Sequence, residues 1–380
     1  MYEGNAPGWE RCNADGFRGA GACRVRGRHV SGAKARVVQW ATGSTGRLAL
    51  GAVIDAPDLD LVGVRVYDAQ KVGVDAGDIA NRPPTEVRCT DAIDEILSSD
   101  PDVVLFMGAV ERHPEECIAE VATLLAAGVD VVATGSSFID VHAFDPAWGS
   151  RLDDACTNGG ATFLGLGLFP GFWGEAVVPV LNRLSARLGH LAVRESLCYA
   201  GYPSESLIFD VMGYGQHPAS TSALLSDPSR AGSAFVGTAT VVAKALGVEV
   251  EHVEPFRETA TTDVELAVAA GTIPAGTVAA MKLGVRASCG DVTILIEHVT
   301  WMAEAVAPEW SRSEGYEIEF DGAPSLRCNL VLGINGEDHT EMGCLATAMH
   351  AVHAVPLVHA APPGVLDLAD FEYNVKGRHG

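Results

Sequence analysis

The segment that most constrains the fold spans residues 36–54 and reads RVVQWATGSTGRLALGAVI. Its apolar run Val37–Trp40 is typical of a short buried strand. Gly43 and Gly46 then mark a tight turn, and the apolar density over residues 48–54 is typical of a helix packed on a sheet. Strand, glycine turn and helix in this order predict the first unit of a dinucleotide-binding fold, in which backbone N–H groups at the helix start hold a pyrophosphate.

The glycine spacing is Ala41-x-Gly43-x-x-Gly46, so an alanine stands at the first position of the usual G-x-G-x-x-G pattern. A plain strand-to-helix turn also fits two glycines. The nucleotide interpretation is favoured because the next apolar stretch ends at Asp68, where an acidic residue accepts the ribose hydroxyls. The residues that we expect to contact the cofactor are Thr42, Gly43, Ser44, Thr45, Gly46, Arg47, Tyr67, Asp68, Lys71, Gly108, Ala109, Thr134 and Gly135.

The length and composition of the chain limit the class of protein. A chain of 380 residues exceeds the usual size of one domain, so two domains are expected. Its 26 basic and 49 acidic residues give a formal charge of −23, which argues against nucleic acid as a partner. Nine cysteines without a C-x-x-C pair indicate reduced thiols, and the apolar runs are too short to span a membrane. We therefore expect a cytoplasmic protein with no metal site.

Short strands and helices alternate up to about residue 169, which predicts an α/β fold with a doubly wound parallel sheet. Ligands bind beyond the carboxyl ends of such strands, so the loops 41–47, 107–112 and 134–138 should converge. Later segments alternate polar and apolar residues, which is typical of half-buried antiparallel strands. The expected organisation is a disordered leader (1–34), a Rossmann-type NAD(P)-binding domain (35–169), an α+β substrate domain (170–340), and a C-terminal helix and tail packed back on the nucleotide domain (341–380).

Within the second part, local patterns predict helices over residues 176–188, 220–226, 233–246 and 342–355. The strands predicted there span residues 191–199, 281–287, 292–300, 316–321 and 326–333.

Several stretches in order resemble the dihydrodipicolinate reductase-like family, and specifically its branch of 2,4-diaminopentanoate dehydrogenase and native amine dehydrogenases. They are the phosphate turn 37–47, the loop 71–77, the segment Met212–Gly215, and the C-terminal helix and turn over 347–364. The resemblance covers about residues 35–370. It implies NAD(P)H-dependent reduction of a C=N bond, or the reverse oxidation of an amine with loss of ammonia, and a homodimer joined through the second domain.

The chain departs from that branch where the chemistry is expected. Amine dehydrogenases of this branch carry a glutamate in the loop after the strand that corresponds to Val129–Ala133, whereas this chain has Thr134-Gly-Ser-Ser-Phe138. Hydroxyls can hydrogen-bond a carbonyl or an imine but are poor acids and bases at neutral pH. We therefore predict Ser136 and Ser137 as polarising groups and Glu175 as the remaining catalytic carboxylate, although helix capping is the competing interpretation for all three.

Two functional hypotheses remain open. The first is an NAD(P)-dependent reductase or dehydrogenase of a small imine, amine or carbonyl compound. The alternative is a catalytically quiet NAD(P)-binding sensor or regulatory relative. Lys71 favours NADP as the cofactor, whereas Asp68 would favour NAD by repelling a 2′-phosphate. Tyr202, Tyr214 and His217 are candidates for the substrate pocket, and a small molecule is the expected partner.

Overall fold

A computed structural model describes residues 34–310 and 314–370. The predicted leader lies outside these ranges except for Lys34, and so does the end of the C-terminal tail. The strands of the described residues are β1 Ala35–Trp40, β2 Leu59–Arg65, β3 Cys89–Thr90, β4 Val103–Phe106, β5 Asp130–Thr134, β6 Thr162–Leu166, β7 Arg187–Cys198, β8 His252–Thr261, β9 Leu266–Val268, β10 Gly271–Ile273, β11 Val278–Cys289, β12 Val292–Trp301, β13 Gly315–Ala323, β14 Leu326–Leu330 and β15 Gly364–Val365.

The α-helices of the described residues are α1 Ser44–Asp55, α2 Ala76–Ala80, α3 Ile93–Ser98, α4 Pro114–Ala126, α5 Val141–Phe144, α6 Pro146–Gly159, α7 Val178–Asn182, α8 Pro228–Leu246 and α9 His339–Ala360. Two π-helical segments, Trp173–Val177 and Ser206–Met212, lie between them. None of the helices in the described ranges combines the length and the hydropathy that a membrane crossing requires.

The first sheet has the order β15-β6-β5-β4-β1-β2-β3, and every neighbouring pair in it is parallel. Its central strands are buried on both faces; all four residues of β4 are buried. Near-continuous apolar strands of this kind are typical of a sheet with helices on both sides. Helices α4 and α6 pack on one face, and α1 and α9 pack on the other. The α/β fold with a Rossmann-type parallel sheet is confirmed.

The second sheet has the order β14-β13-β7-β12-β11-β8. All its pairs are antiparallel except β7 with β12, which run parallel. Helix α8 covers one face and buries Phe235, Ala239 and Val242 against strands β11 and β12. The mostly antiparallel second sheet is therefore also confirmed.

The end of the described chain returns to the first sheet. Helix α9 lies beside α1 and buries Ala351, Val352 and Val355 against the first sheet. Strand β15 then pairs with β6, and the hydroxyl of Thr162 donates to the carbonyl of Pro362 at 3.1 Å. The second sheet is thus inserted between two elements of the first.

Two local predictions were wrong, and strand β8 was missed. The helix predicted over 176–188 ends at Asn182, because Arg187 and Leu188 pair with β13. The helix predicted over 220–226 is only the 3-10 turn Leu224–Ser226. Strand β8 was not predicted because Pro255 interrupts its pattern; β8 lies at the sheet edge, where a proline is tolerated.

Candidate active site

The glycine turn after β1 brings two backbone segments unusually close together. Helix α1 begins at Ser44, and the N–H groups in the first turn of a helix have no intrahelical acceptor. A Cβ atom on Gly46 would overlap the carbonyl oxygen of Ala41, so only glycine fits there. Ala41 itself has a φ of 69°, a left-handed conformation in which the family pattern places glycine. The backbone conformation of the phosphate turn is therefore retained despite the alanine.

Lys71 lies against this turn. Its Nζ donates to the carbonyl oxygen of Thr42 at 3.1 Å and to the Thr42 hydroxyl at 3.2 Å. Asp68 caps the short turn before it by accepting from the N–H of Gln70 at 2.9 Å. A cation and a helix start are thus placed side by side, and this combination suits a phosphate group.

Two other residues predicted to bind the cofactor are engaged with the protein itself. The hydroxyl of Tyr67 donates to Glu120 at 2.5 Å and accepts from the Trp40 indole at 2.9 Å, while 51% of the residue stays exposed. Arg47 lies 3.7 Å from Glu341 on α9. The structure places both residues, together with Thr42, Asp68 and Lys71, around the glycine turn outside the lining of the cleft described next.

An outer cleft of about 470 Å³ opens at the carboxyl ends of β1, β4 and β5. Its volume lies within the range of roughly 300–1,000 Å³ that is usual for small-molecule sites. Nine of the predicted site residues line it: Gly43, Ser44, Thr45, Gly46, Gly108, Ala109, Thr134, Gly135 and Ser136. The loops 41–47, 107–112 and 134–138 therefore share one cavity.

Ser136 is held by Glu111 from the neighbouring loop. The carboxylate oxygen Oε1 of Glu111 accepts from the N–H of Ser136 at 3.1 Å and from its hydroxyl at 3.2 Å. Both residues line the outer cleft, whereas Ser137 is 5% exposed and lines neither cavity described here. The loop after β5 is thus hydrogen-bonded to a carboxylate of the loop after β4.

Glu175 lies inside the protein. It is 1% exposed, and its Oε1 accepts from the Thr238 hydroxyl on α8 at 2.6 Å. Burial raises the pKa of this carboxyl, against the opposite effect of the Thr238 hydrogen bond. The structure places Glu175 in the lining of neither cavity. Its catalytic role stays a prediction.

An inner cavity of about 200 Å³ continues from the outer cleft toward the second sheet. Residues from four parts of the chain line both cavities: Thr45, Leu168, Phe169, Tyr202, Cys344 and Thr347. The inner cavity adds Glu195, Tyr199, Tyr316 and His339 to this wall. A ligand in the outer cleft would therefore have a largely aromatic pocket with one carboxylate directly beyond it.

Three adjacent strands bring the polar groups of the inner cavity into one row. Strand register pairs Glu195 on β7 with His298 on β12 and with Tyr316 on β13. The Nδ1 atom of His298 lies 2.6 Å from the Glu195 carboxylate, and the Tyr316 hydroxyl hydrogen-bonds to the same carboxylate. Nε2 of His298 lies 3.4 Å from the Tyr199 hydroxyl. Glu195 is thus a carboxylate in the cavity lining that contacts two side chains from neighbouring strands.

Burial dominates the behaviour of the two tyrosines. Their rings are surrounded by protein, and the nearby negative charge of Glu195 adds to the effect. Burial and Glu195 raise the pKa of both Tyr199 and Tyr316 well above the ordinary value. Both hydroxyls are therefore neutral hydrogen-bonding groups throughout the physiological range.

The sequence interpretation missed Glu195, His298, Tyr199 and Tyr316. Each stands in a strand whose alternation was visible, but the register between strands β7, β12 and β13 is not encoded in any local pattern. Of the three candidates from the second domain, Tyr202 lines both cavities. Tyr214 is fully buried and bonded to Thr300, and His217 accepts from the N–H of Ala219 in its own turn.

Comparison with known proteins places this geometry in context. Residues 211–375 match the family model of the 2,4-diaminopentanoate dehydrogenase C-terminal domain. An amine dehydrogenase of Streptomyces virginiae is 27% identical over 343 residues, which cover 88% of this chain and 95% of the relative.

Two solved structures share the fold. The amine dehydrogenase of Mycobacterium smegmatis superposes with a TM-score of 0.72 at 17% identity, covering 92% of this chain and 98% of that one. The GenD2 protein from gentamicin A biosynthesis, in complex with NAD, gives a TM-score of 0.51 at 15% identity, covering 91% and 93% of the two chains. Residues 211–375 thus match the C-terminal domain of 2,4-diaminopentanoate dehydrogenase, and the chain as a whole is similar in sequence to an amine dehydrogenase and shares the fold of another.

Proposed function

We propose that this protein is an NAD(P)-dependent oxidoreductase that acts on the C=N or C–N bond, or on the carbonyl group, of a small molecule. The observation that carries the proposal is that two cavities share a wall of six residues. A cleft at the carboxyl ends of parallel strands, with a helix start at its wall, lies directly beside a pocket that contains aromatic side chains and a carboxylate. The amine dehydrogenase relatives support the same class of reaction.

The residues present fit a dinucleotide. Because Gly46 has no side chain, the backbone of the turn can pack closely at Ala41. The start of α1 then supplies N–H donors for a pyrophosphate. Gly108 and Gly135 line the same cleft, where the remainder of the dinucleotide would lie. When bound, the nicotinamide supplies or accepts a hydride.

NADP is the proposed cofactor of the two. Lys71 Nζ lies at the turn and can approach a 2′-phosphate, whereas Asp68 uses its carboxylate to cap the neighbouring turn. Arg65, which could also approach a phosphate, is 9% exposed and lies 3.7 Å from Glu120. Lys71 is thus the cation that decides the preference in this proposal.

The side chains of the two cavities have separate tasks. Phe169 and Tyr202 line both cavities, so they can contact the nicotinamide on one side and the substrate on the other. Ser136 offers a hydroxyl at the outer side of the reacting group. Orientation of the two reacting groups is what hydride transfer chiefly requires.

Fluorescence titration with NADPH and with NADH tests the cofactor, and a panel of small ketones with ammonia and small amines tests the reaction. We expect tighter binding of NADPH, loss of that preference in Lys71→Ala, and turnover of at least one panel member. Binding without any turnover would favour a nucleotide-binding sensor or regulatory relative, whose only specific support is the missing loop glutamate. Failure to bind either cofactor would overturn both.

The assembly and the compartment are proposed as well. We propose a homodimer on the basis of the family resemblance. A cytoplasmic location is supported by the seven described cysteines, all of which are free thiols. Light scattering of the purified protein tests the dimer, and fractionation of the producing cells tests the location.

A further inference from the structure

We infer that Glu195 is the acid–base group of this enzyme and the binding site for the substrate ammonium, in place of the glutamate that is missing from the loop after β5. This inference rests on the proposed function, because it names the substrate class and a catalytic residue of the same site. The favoured substrate is a small primary amine without a carboxylate, together with the carbonyl or imine that it interconverts with.

The first support is position. Glu195 lines the inner cavity, and about one tenth of its side chain is exposed. The same cavity is lined by the residues that it shares with the outer cleft. A carboxylate at the end of a cleft attracts a cation by its charge. Aromatic rings beside it add a second attraction through their negative faces. Tyr199 and Tyr202 supply such rings, stacked with centroids 5.6 Å apart.

The second support is the set of groups that hold the carboxylate. The row Tyr316–Glu195–His298 crosses three neighbouring strands, so each side chain is fixed by sheet register. His298 itself packs against Phe235 of α8 with ring centroids 6.4 Å apart. The titratable groups that face this site from β7, β12, β13, α9 and the segment after β7 are Tyr199, His298, Tyr316, His339, Cys344 and Tyr202.

The third support is charge selection. None of the described residues that line the inner cavity is a lysine or an arginine. A substrate carboxylate would therefore meet Glu195 without a compensating cation, which disfavours amino acids and other acids. An amine with an uncharged remainder meets no such penalty.

The proton step is simple. A Glu195 carboxylate oxygen takes one proton from the substrate ammonium, so that an N–H bond breaks and an O–H bond forms, leaving the neutral amine and a carboxylic acid. In the opposite direction the acid returns that proton to nitrogen. His298 is a positioning residue, because its Nδ1 lies 2.6 Å from the Glu195 carboxylate and the two residues are fixed by the pairing of β7 with β12.

The carboxylates of Glu175 and Glu111 are less suited to the task. Glu175 is buried away from both cavities, and Glu111 is exposed at the mouth of the outer cleft, where Ser136 occupies one of its oxygens. Among the described residues, Glu195 is the only one with a carboxylate side chain that lines the inner cavity.

The binding test uses cyclohexylamine and its neutral counterpart cyclohexanol, titrated calorimetrically into wild type, Glu195→Gln and Glu297→Gln. Glu297 is the matched control, because it lies next to His298 on β12 but contacts Arg194 instead. Wild type and Glu297→Gln should bind the ammonium about tenfold or more tightly than the alcohol, as expected for a charge-assisted hydrogen bond. Glu195→Gln should lose the preference.

Turnover and cofactor binding complete the test. Glu195→Gln should keep NAD(P)H affinity but lower the rate of amine oxidation by about 10²-fold or more. His298→Gln should lower kcat and shift the pH profile of kcat/KM while leaving the cofactor affinity unchanged. An equal ammonium preference in wild type and Glu195→Gln, or no preference in wild type, would overturn the inference. Loss of cofactor binding in wild type would instead overturn the proposed function.

Discussion

The Cα atom of Gly46 faces the carbonyl oxygen of Ala41 so closely that a methyl group on Gly46 would overlap it. This contact closes the turn between β1 and α1 and aims the first N–H groups of the helix at the cleft. Both contacting groups belong to the backbone, so neither can move aside as a flexible side chain could. The proposed cofactor site therefore depends on the absence of a side chain at Gly46.

Replacing Gly46 by alanine should abolish cofactor binding, because the turn must open to admit the methyl group. We expect the affinity for NADPH, measured by fluorescence titration, to fall by about 10²-fold, near 3 kcal/mol. Gly51→Ala is the matched control: Gly51 lies in the same helix but lines neither cavity, and a Cβ there would come no closer than 3.6 Å to its neighbours. Equal losses in both variants would contradict the role of the Ala41 contact.

Ala41→Gly should stabilise the protein. A left-handed alanine costs about 1–2 kcal/mol, whereas glycine adopts this conformation freely but loses more entropy on folding. The expected net gain in the free energy of unfolding is about 0.5–1 kcal/mol, measured by urea denaturation. A destabilised variant would show that the Ala41 methyl group contributes more by packing than it costs by strain.

Glu175→Gln should raise stability at neutral pH. Because burial raises the pKa of Glu175 in the folded protein, its contribution to stability is complete below the unfolded value near 4.5 and is lost as pH rises through the folded value. The amide cannot ionise, so the variant should gain about 0.5–2 kcal/mol at pH 7 and lose part of the pH dependence. Denaturation curves between pH 4 and pH 8 measure both effects.

The same variant also tests the sequence-based role of Glu175. If the residue only fills the interior beside Thr238, turnover of Glu175→Gln stays within about twofold of wild type. A loss of about 10²-fold with unchanged folding would instead place Glu175 in the acid–base chemistry.

Glu111 should act by holding the loop of Ser136. Its Oε1 atom accepts two hydrogen bonds from that residue, which the amide oxygen of Glu111→Gln can still accept. Glu111→Ala should weaken cofactor binding by about three- to tenfold, near 1 kcal/mol, and Glu111→Gln should restore most of it. If the glutamine variant is as impaired as the alanine variant in turnover, the charge of Glu111 takes part in the reaction.

The nucleotide half was predictable because its signals are local. Val37–Trp40, Gly43 and Gly46 specify a strand, a turn and a helix within a dozen residues, and the apolar strands β4 and β5 are bounded by glycines. The edge strand Gly364–Val365 has only two residues and no pattern of its own, so it was read as a turn. Its existence depends on β6, about 200 residues earlier in the chain.

The inner cavity was not predictable for the same reason. Glu195 and His298 are separated by about a hundred residues, and only the parallel pairing of β7 with β12 brings them together. Each looks like an ordinary polar residue within an alternating strand. Glu175, by contrast, follows the sequence Phe169-Pro-Gly171 closely, but this local position carries no information about which way its side chain faces.

The insertion of the second sheet between β6 and α9 affects how this protein folds during synthesis and which fragments of it can fold alone. Helix α9 covers an apolar face of the first sheet and supplies Cys344 and Thr347 to both cavities. A growing chain therefore cannot complete its nucleotide half until almost all of the described sequence has left the ribosome. For the same reason, an excised fragment of residues 35–169 would expose that apolar face and lack one wall of its cleft, so the cofactor site is not a portable module.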